Sequence, residues 1–237
     1  MEIIVNNTLY ESCFESYKKV FGDLEELAEA EFPKDIRQFD IRFCLAFGLK
    51  IGFDSSANYI KNENERKIYS LIIRQNEMFF AYEGLYNICK NQGILRSNPS
   101  KSDPFTQDAI ETLGLLQIVC NFNNYVNAVF YSSQRLLTDL SDFLEYLKDN
   151  AFSKDLTLKL GRFNSKLLSR SNLDFNEIFA LIYAMRNQYV HNAASAKSGV
   201  TLYKTKIDIL KNSSDFLTLT NLIVGKHIID LKIEEVE

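Results

Sequence analysis

Turn-forming residues are scarce in this chain of 237 residues, with only 9 glycines and 3 prolines. Both residue types punctuate turns, and an all-β chain needs many of them. Their scarcity argues for long helices and against a sandwich or barrel. Cysteine is sparse and scattered: Cys13, Cys44, Cys89 and Cys120 include no Cys-x-x-Cys pair and have no nearby histidine. Zinc and redox motifs are therefore not visible. Each cysteine falls in an apolar stretch and reads as a small buried hydrophobe. No apolar run is long enough to span a membrane. The opening residues, MEIIVNNTLYES, lack the basic region of a secretory leader. The expected setting is the cytoplasm, with reduced thiols. The formal net charge of -4 gives no global attraction to nucleic acid, so any such binding must come from a local patch. The acidic residues form no pair with metal-ligand spacing. There is no phosphate-binding glycine loop and no hydrolase elbow. No cofactor is expected.

What the chain does have is helical periodicity. Leu9, Phe14, Tyr17, Phe21, Leu24 and Leu27 trace an amphipathic helix from Thr8 to Phe32, which Pro33 breaks. A second helix is expected from about Asp35 to Leu49, ended by Gly52, with Asp54, Ser55 and Ser56 as candidate caps beyond it. Ile68, Leu71, Ile72, Phe79, Tyr82, Leu85, Tyr86 and Cys89 keep helical spacing from Glu65 to Cys89, where Gly93 stops them. Asp103 and Pro104 read as an N-cap and first helical residue. One long helix should then run through Ile110, Leu113, Leu116 and Cys120 past Phe130. Two long helices joined by such a loop suggest an antiparallel pair. Further helices are expected over Leu140–Leu147 and Leu156–Leu168, and another capped by Asn172 or Asp174 and ending near Asn192. Val200–Leu210 is β-branched without a clean helical stripe and is compatible with a strand, whereas Phe216–Val236 fits a helix. The expected fold is all-α: a multi-helix up-down bundle with room for a short C-terminal strand or hairpin. Residues 1–64 read as an N-terminal helical lobe and 65–237 as the main helical domain, although no linker composition marks the boundary.

The informative stretch is Ala184-Met185-Arg186-Asn187-Gln188-Tyr189-Val190-His191-Asn192, at the end of an apolar helix. A histidine titrates near neutrality and suits proton transfer. An arginine stays charged, and its planar fork suits a phosphate. Asn187 and His191 are four apart and share a helix face, so the Asn187 amide should hydrogen-bond the imidazole and fix its tautomer. Arg186 lies roughly 140° around an ideal helix from His191. The two can serve one phosphate only if the helix ends near His191 or a cleft reaches round it. Arginine and histidine near a helix end also commonly do no more than complement the helix dipole.

Arg186-Asn187-x-x-x-His191 resembles the Arg-x(four to six)-His signature of the HEPN superfamily, in which a polar residue, often Asn, follows the Arg. The resemblance is specific over about nine residues, and elsewhere covers only helical character. One branch of that superfamily, the HepT-like toxins, continues with a Tyr two residues after the His. Here that position is Ala193, which argues against that branch. The resemblance implies a helical, metal-independent endoribonuclease in which the RNA 2′-hydroxyl attacks the adjacent phosphate. It further implies a homodimer whose two motifs line one cleft, a setting in bacterial defence, or a toxin held by an antitoxin or other regulatory partner. Arg186, Asn187 and His191 would be its catalytic residues, and RNA its substrate. Two other readings stand beside it: a catalytically silent HEPN-like RNA-binding module, and a helical protein-interaction domain in which Arg186 and His191 merely cap a helix.

A second candidate feature is basic. Lys159, Arg162, Lys166 and Arg170 step by three, four and four, and no acidic residue lies between Asp155 and Asp174. On a helix they form one stripe, with Leu160, Phe163 and Leu167 on the neighbouring, inward face. The stripe is a candidate RNA-phosphate track, or else a solvated helix face. The other histidine, His227, sits among Ile228, Ile229 and Leu231 and reads as structural.

Overall fold

The computed structural model describes residues 7–28, 32–53, 62–91 and 94–236. Three helices come first: α1 (Asn7–Ala28), α2 (Lys34–Gly48) and α3 (Glu63–Asn91). An antiparallel hairpin of β1 (Leu95–Ser100) and β2 (Asp103–Phe105) comes next. Six more helices complete the chain: α4 (Gln107–Thr112), α5 (Leu116–Val129), α6 (Gln134–Asp149), α7 (Lys154–Ser169), α8 (Phe175–Asn192) and α9 (Tyr203–Val236). The protein is all-α, and its one hairpin among the described residues lies between α3 and α4 rather than near the C-terminus. None of the described helices is long and apolar enough to cross a membrane.

The axis of the bundle is α9, which packs along α1 and α3 and also meets α5 and α6. Most of its side chains between Thr205 and Ile229 are buried, whichever way they face. A helix buried all round shows no amphipathic stripe. That is why Val200–Leu210 reads as a strand in sequence, and that expectation is wrong: the chain turns before Tyr203 and then enters α9. Some of its buried polar side chains find backbone partners, whereas the hydroxyls of Ser213 and Ser214 have none among the described residues. Asn212 donates to the Phe122 carbonyl (3.2 Å) and Asn221 to the Met78 carbonyl (3.1 Å). The entry to α9 is capped from α6, where Asp139 accepts from the amides of Thr201 (2.8 Å) and Leu202 (3.1 Å).

The expected long helix after Pro104 is also corrected. Asp103 and Pro104 belong to β2, and the cap of α4 is Thr106, whose hydroxyl accepts from the Ala109 amide (3.1 Å). Gly114, at φ 73°, then turns the chain between α4 and α5. At the N-terminal end, α2 packs on α3 and α1 on α9. Tyr17, Phe39 and Phe43 belong to the same hydrophobic cluster as Phe79 and Leu222, so residues on both sides of position 64 share one core. Asp54, Ser55, Ser56 and Gly93 lie outside the described residues. The cysteines are less uniform than expected: Cys89 is buried, Cys13 and Cys44 are half-buried, and Cys120 is exposed.

Candidate active site

The segment that carries the motif is fixed before the motif begins. Asn123 of α5 exchanges two hydrogen bonds with the Leu173 backbone, donating to its carbonyl (2.9 Å) and accepting from its amide (2.8 Å). Asp174 and Glu177 then form a reciprocal capping box: the Asp174 carboxylate accepts from the Glu177 amide (2.9 Å) and the Glu177 carboxylate from the Asp174 amide (3.0 Å). Phe175, Ile178, Phe179, Ile182 and Met185 are buried, whereas Val190, His191 and Asn192 are exposed. α8 is thus driven in by its apolar turns and surfaces only in its last one. Ala193, in the left-handed region at φ 48°, reverses the chain, and the amides of Ala193 and Ala194 both reach the Gln188 carbonyl.

At this exposed end Arg186 Nη1 lies 3.1 Å from His191 Nε2 and 3.2 Å from Asn187 Oδ1. A guanidinium only donates, so this hydrogen bond requires Nε2 to present its lone pair and Nδ1 to carry the ring proton. The expected bond from Asn187 to the imidazole is not made. Asn187 is buried, and its carbonyl oxygen holds the guanidinium instead. The long Arg186 side chain spans the angular gap to His191, aided by the end of the helix one residue later. Arg186 also packs on α3, with its Cζ 5.7 Å from the ring centres of both Phe79 and Phe80.

Two charged groups and a ring come from elsewhere in the chain. Glu83 of α3 places Oε1 3.8 Å from Arg186 Nη2, and the same oxygen accepts from Lys101 Nζ (2.7 Å) at the tip of the hairpin. Phe152, in the turn between α6 and α7, stands edge-to-face against the His191 ring at 5.8 Å. Glu83, Lys101 and Phe152 carry no local signal in the sequence. They lie far along the chain from the motif residues they serve, and only the packing of α3 and α6 brings them there.

Gln188, inside the motif, acts as a brace. Its amide donates to the Asn150 carbonyl (2.9 Å), and its oxygen accepts from Asn192 (3.0 Å) and the Tyr146 hydroxyl (3.4 Å). The loop after α8 is held by Lys206, which is 5% exposed and donates to the carbonyls of Ser195 (3.1 Å) and Ser198 (2.8 Å). Burial pushes the Lys206 amine down to about 8.

The basic stripe is not an uninterrupted row of open charges. Leu160, Phe163 and Leu167 do point inward. Lys159, however, is 7% exposed and pairs with Asp155 at 2.7 Å. Lys166 pairs with Glu177 at 2.8 Å and with Asp174 at 3.2 Å. Burial opposes the charge on Lys166, but these carboxylates outweigh it and raise its pKa. Arg162 is exposed, and Arg170 caps α7 at φ 56° with its guanidinium 5.3 Å from the Tyr131 ring centre. The acids that pair with Lys166 lie at the edge of the acid-free segment and are folded back onto it by the α7–α8 packing. His227 is half-buried and lines a cleft of about 300 Å³ with Cys13 and Asp230. Among the described residues, no group of three or more His, Cys, Asp or Glu is placed to hold a metal ion. No family model, no curated protein and no solved structure matches this chain, so its function must be read from the geometry around Arg186 and His191.

Proposed function

We propose that this protein is a metal-independent endoribonuclease of the HEPN type. The observation that carries the reading is the Arg186–His191 pair, 3.1 Å apart at the exposed end of an otherwise buried helix. When the Arg186 guanidinium turns from Nε2 to the phosphate, the freed Nε2 lone pair of His191 takes the proton from an RNA 2′-hydroxyl. The 2′-oxygen forms a bond to the adjacent phosphorus, and the bond from phosphorus to the 5′-oxygen breaks. The products are a 2′,3′-cyclic phosphate and a 5′-hydroxyl, and the leaving oxygen needs a proton. Arg186 stabilises the charge on the phosphorane. Asn187 holds the guanidinium in place, and Glu83 faces its other side. Each chain has one motif histidine, so the reading includes a homodimer in which a second His191 supplies the leaving-group proton, with α8 beside the interface. A place in bacterial defence, or restraint by an antitoxin, follows from the same resemblance.

The test is incubation of the purified protein with RNA in EDTA. Cleavage should persist, leave 2′,3′-cyclic ends, spare a linkage that lacks its 2′-hydroxyl, and spare DNA. His191→Ala and Arg186→Ala should each cut activity by about a hundredfold or more while the helical circular-dichroism signal stays intact. Full activity in either variant, or cleavage at the deoxy linkage, sinks the assignment.

A further inference from the structure

We infer that Phe152 is a stacking platform for the base of a nucleotide flanking the scissile phosphate; this rests on the ribonuclease reading of the Arg186–His191 site. Phe152 is 61% exposed, an unfavourable position for a large apolar ring. Exposed leucines elsewhere on the surface, such as Leu158 and Leu168, need no explanation. Phe152 differs from them in two ways. Its ring centre lies 5.8 Å from that of His191, with the rings at 89°, so it borders the reacting position. Its backbone is also fixed on both sides. The Asn150 carbonyl accepts from Gln188 of the motif helix, the Ala151 amide donates to the Lys148 carbonyl, and Ser153 caps α7 by accepting from the Leu156 amide.

A ring carried on a fixed backbone, set against His191 and left open, has less conformational entropy to lose on binding than one on a mobile loop. An aromatic face beside a cation is the pairing that single-stranded RNA uses: the cation takes the phosphate and the ring takes a base. Here Arg186 supplies the cation and Phe152 the ring, with His191 between them. The preference is for single-stranded RNA, because a paired base is not free to leave its stack. Stacking is tolerant of base identity, so the platform favours unpaired regions without choosing a sequence.

The experiment measures binding of a short, uncleavable 2′-O-methyl oligouridylate by fluorescence anisotropy. Phe152→Ala should weaken binding about five- to a hundredfold, and Phe152→Trp should restore it. Removing single bases from the oligomer in turn should reveal one position whose loss costs the wild type a similar factor and costs Phe152→Ala nothing more. Unchanged affinity in Phe152→Ala, additive losses, or no binding by the wild type would overturn the inference. So would an altered oligomeric state in Phe152→Ala with RNA affinity retained, which assigns the ring to a protein interface. A protein that binds through Phe152 yet cuts no RNA loses only the nuclease reading. One that cuts through His191 without using Phe152 loses only the platform.

Discussion

The end of α8 and the helix α7 both carry cations, and the fold engages them with different partners. On α7, Lys159 and Lys166 are engaged by Asp155, Asp174 and Glu177 at 2.7–3.2 Å, so half of the row is already paired. At the end of α8, Arg186 is gripped by Asn187 and two phenylalanine rings, while a nearby carboxylate, Glu83, is shared with Lys101. His191 beside it stays exposed. A run of like charges in sequence measures charge that is present, whereas tertiary pairing decides how much is available to a ligand.

The sharpest way to break this contrast is to disturb the support of the α8 end without touching the motif. Gly199 has φ 75°, and a Cβ there would lie 2.4 Å from Tyr146 Cδ1 and 2.8 Å from Phe143 Cδ2. Gly199→Ala should therefore cost roughly 2–4 kcal/mol, combining left-handed strain with overpacking, as read from urea unfolding. Because the Tyr146 hydroxyl bonds Gln188, RNA cleavage should fall as well, while an equally destabilising change on α1 should leave cleavage intact.

Lys206 offers a pH test of the same support. Its folded pKa, about 8, lies below the ordinary lysine value of 10.5. Below pH 8 the amine is charged in both folded and unfolded states, and the cost of burying that charge is fully present. Between 8 and 10.5 the unfolded chain binds more protons than the folded one, so stability contributed by this group rises with pH. Relative to Lys206→Met, the wild type should gain on the order of 2 kcal/mol between about pH 8 and pH 10. A flat difference would mean that the carbonyls of Ser195 and Ser198 hold a fully charged ammonium throughout.

The α7 face should divide by partner. Lys166→Gln leaves the buried Glu177 carboxylate without its cation and should cost about 1 kcal/mol of stability, with little change in the salt dependence of RNA binding. Arg162→Gln and Arg170→Gln should do the reverse, each flattening the salt slope by about one. Equal effects of Lys159, Arg162, Lys166 and Arg170 on that slope would restore the stripe as a continuous phosphate track. The smallest effect is expected at Ala193, where glycine adopts the left-handed cap without strain. Ala193→Gly should stabilise the protein by roughly 0.5–1 kcal/mol with cleavage unchanged.

Much of the fold is legible because amphipathic helices announce themselves. The helical spacing of Ile68 to Cys89 gives α3, and a cap at Asn172 or Asp174 gives the start of α8, which the structure places at Asp174. The readings fail where that signal is absent. α9 is buried all round and has no stripe to read, and the Asp103-Pro104 pair fits a strand end as well as a helix start. The same division runs through the site. Arg186 and His191 are visible as a motif because both lie on one helix, so their separation is fixed by its pitch. The partner of Asn187 is not legible in the same way, because helix spacing gives neighbouring faces and not rotamers, and the guanidinium competes for its oxygen.

By itself, then, the sequence determined the helical class, a capped start of α8 at Asn172 or Asp174, and the placing of Arg186 and His191 near one helix end, since each depends on spacing within a single helix. Only the tertiary structure decided what surrounds that pair. Glu83, Lys101, Phe152 and the buried Lys206 reach the α8 end, and acids from elsewhere reach Lys166, through contacts between segments distant in the chain. Hydrophobic burial sets those contacts, and burial fixes which faces meet only once the whole core of the bundle is assembled.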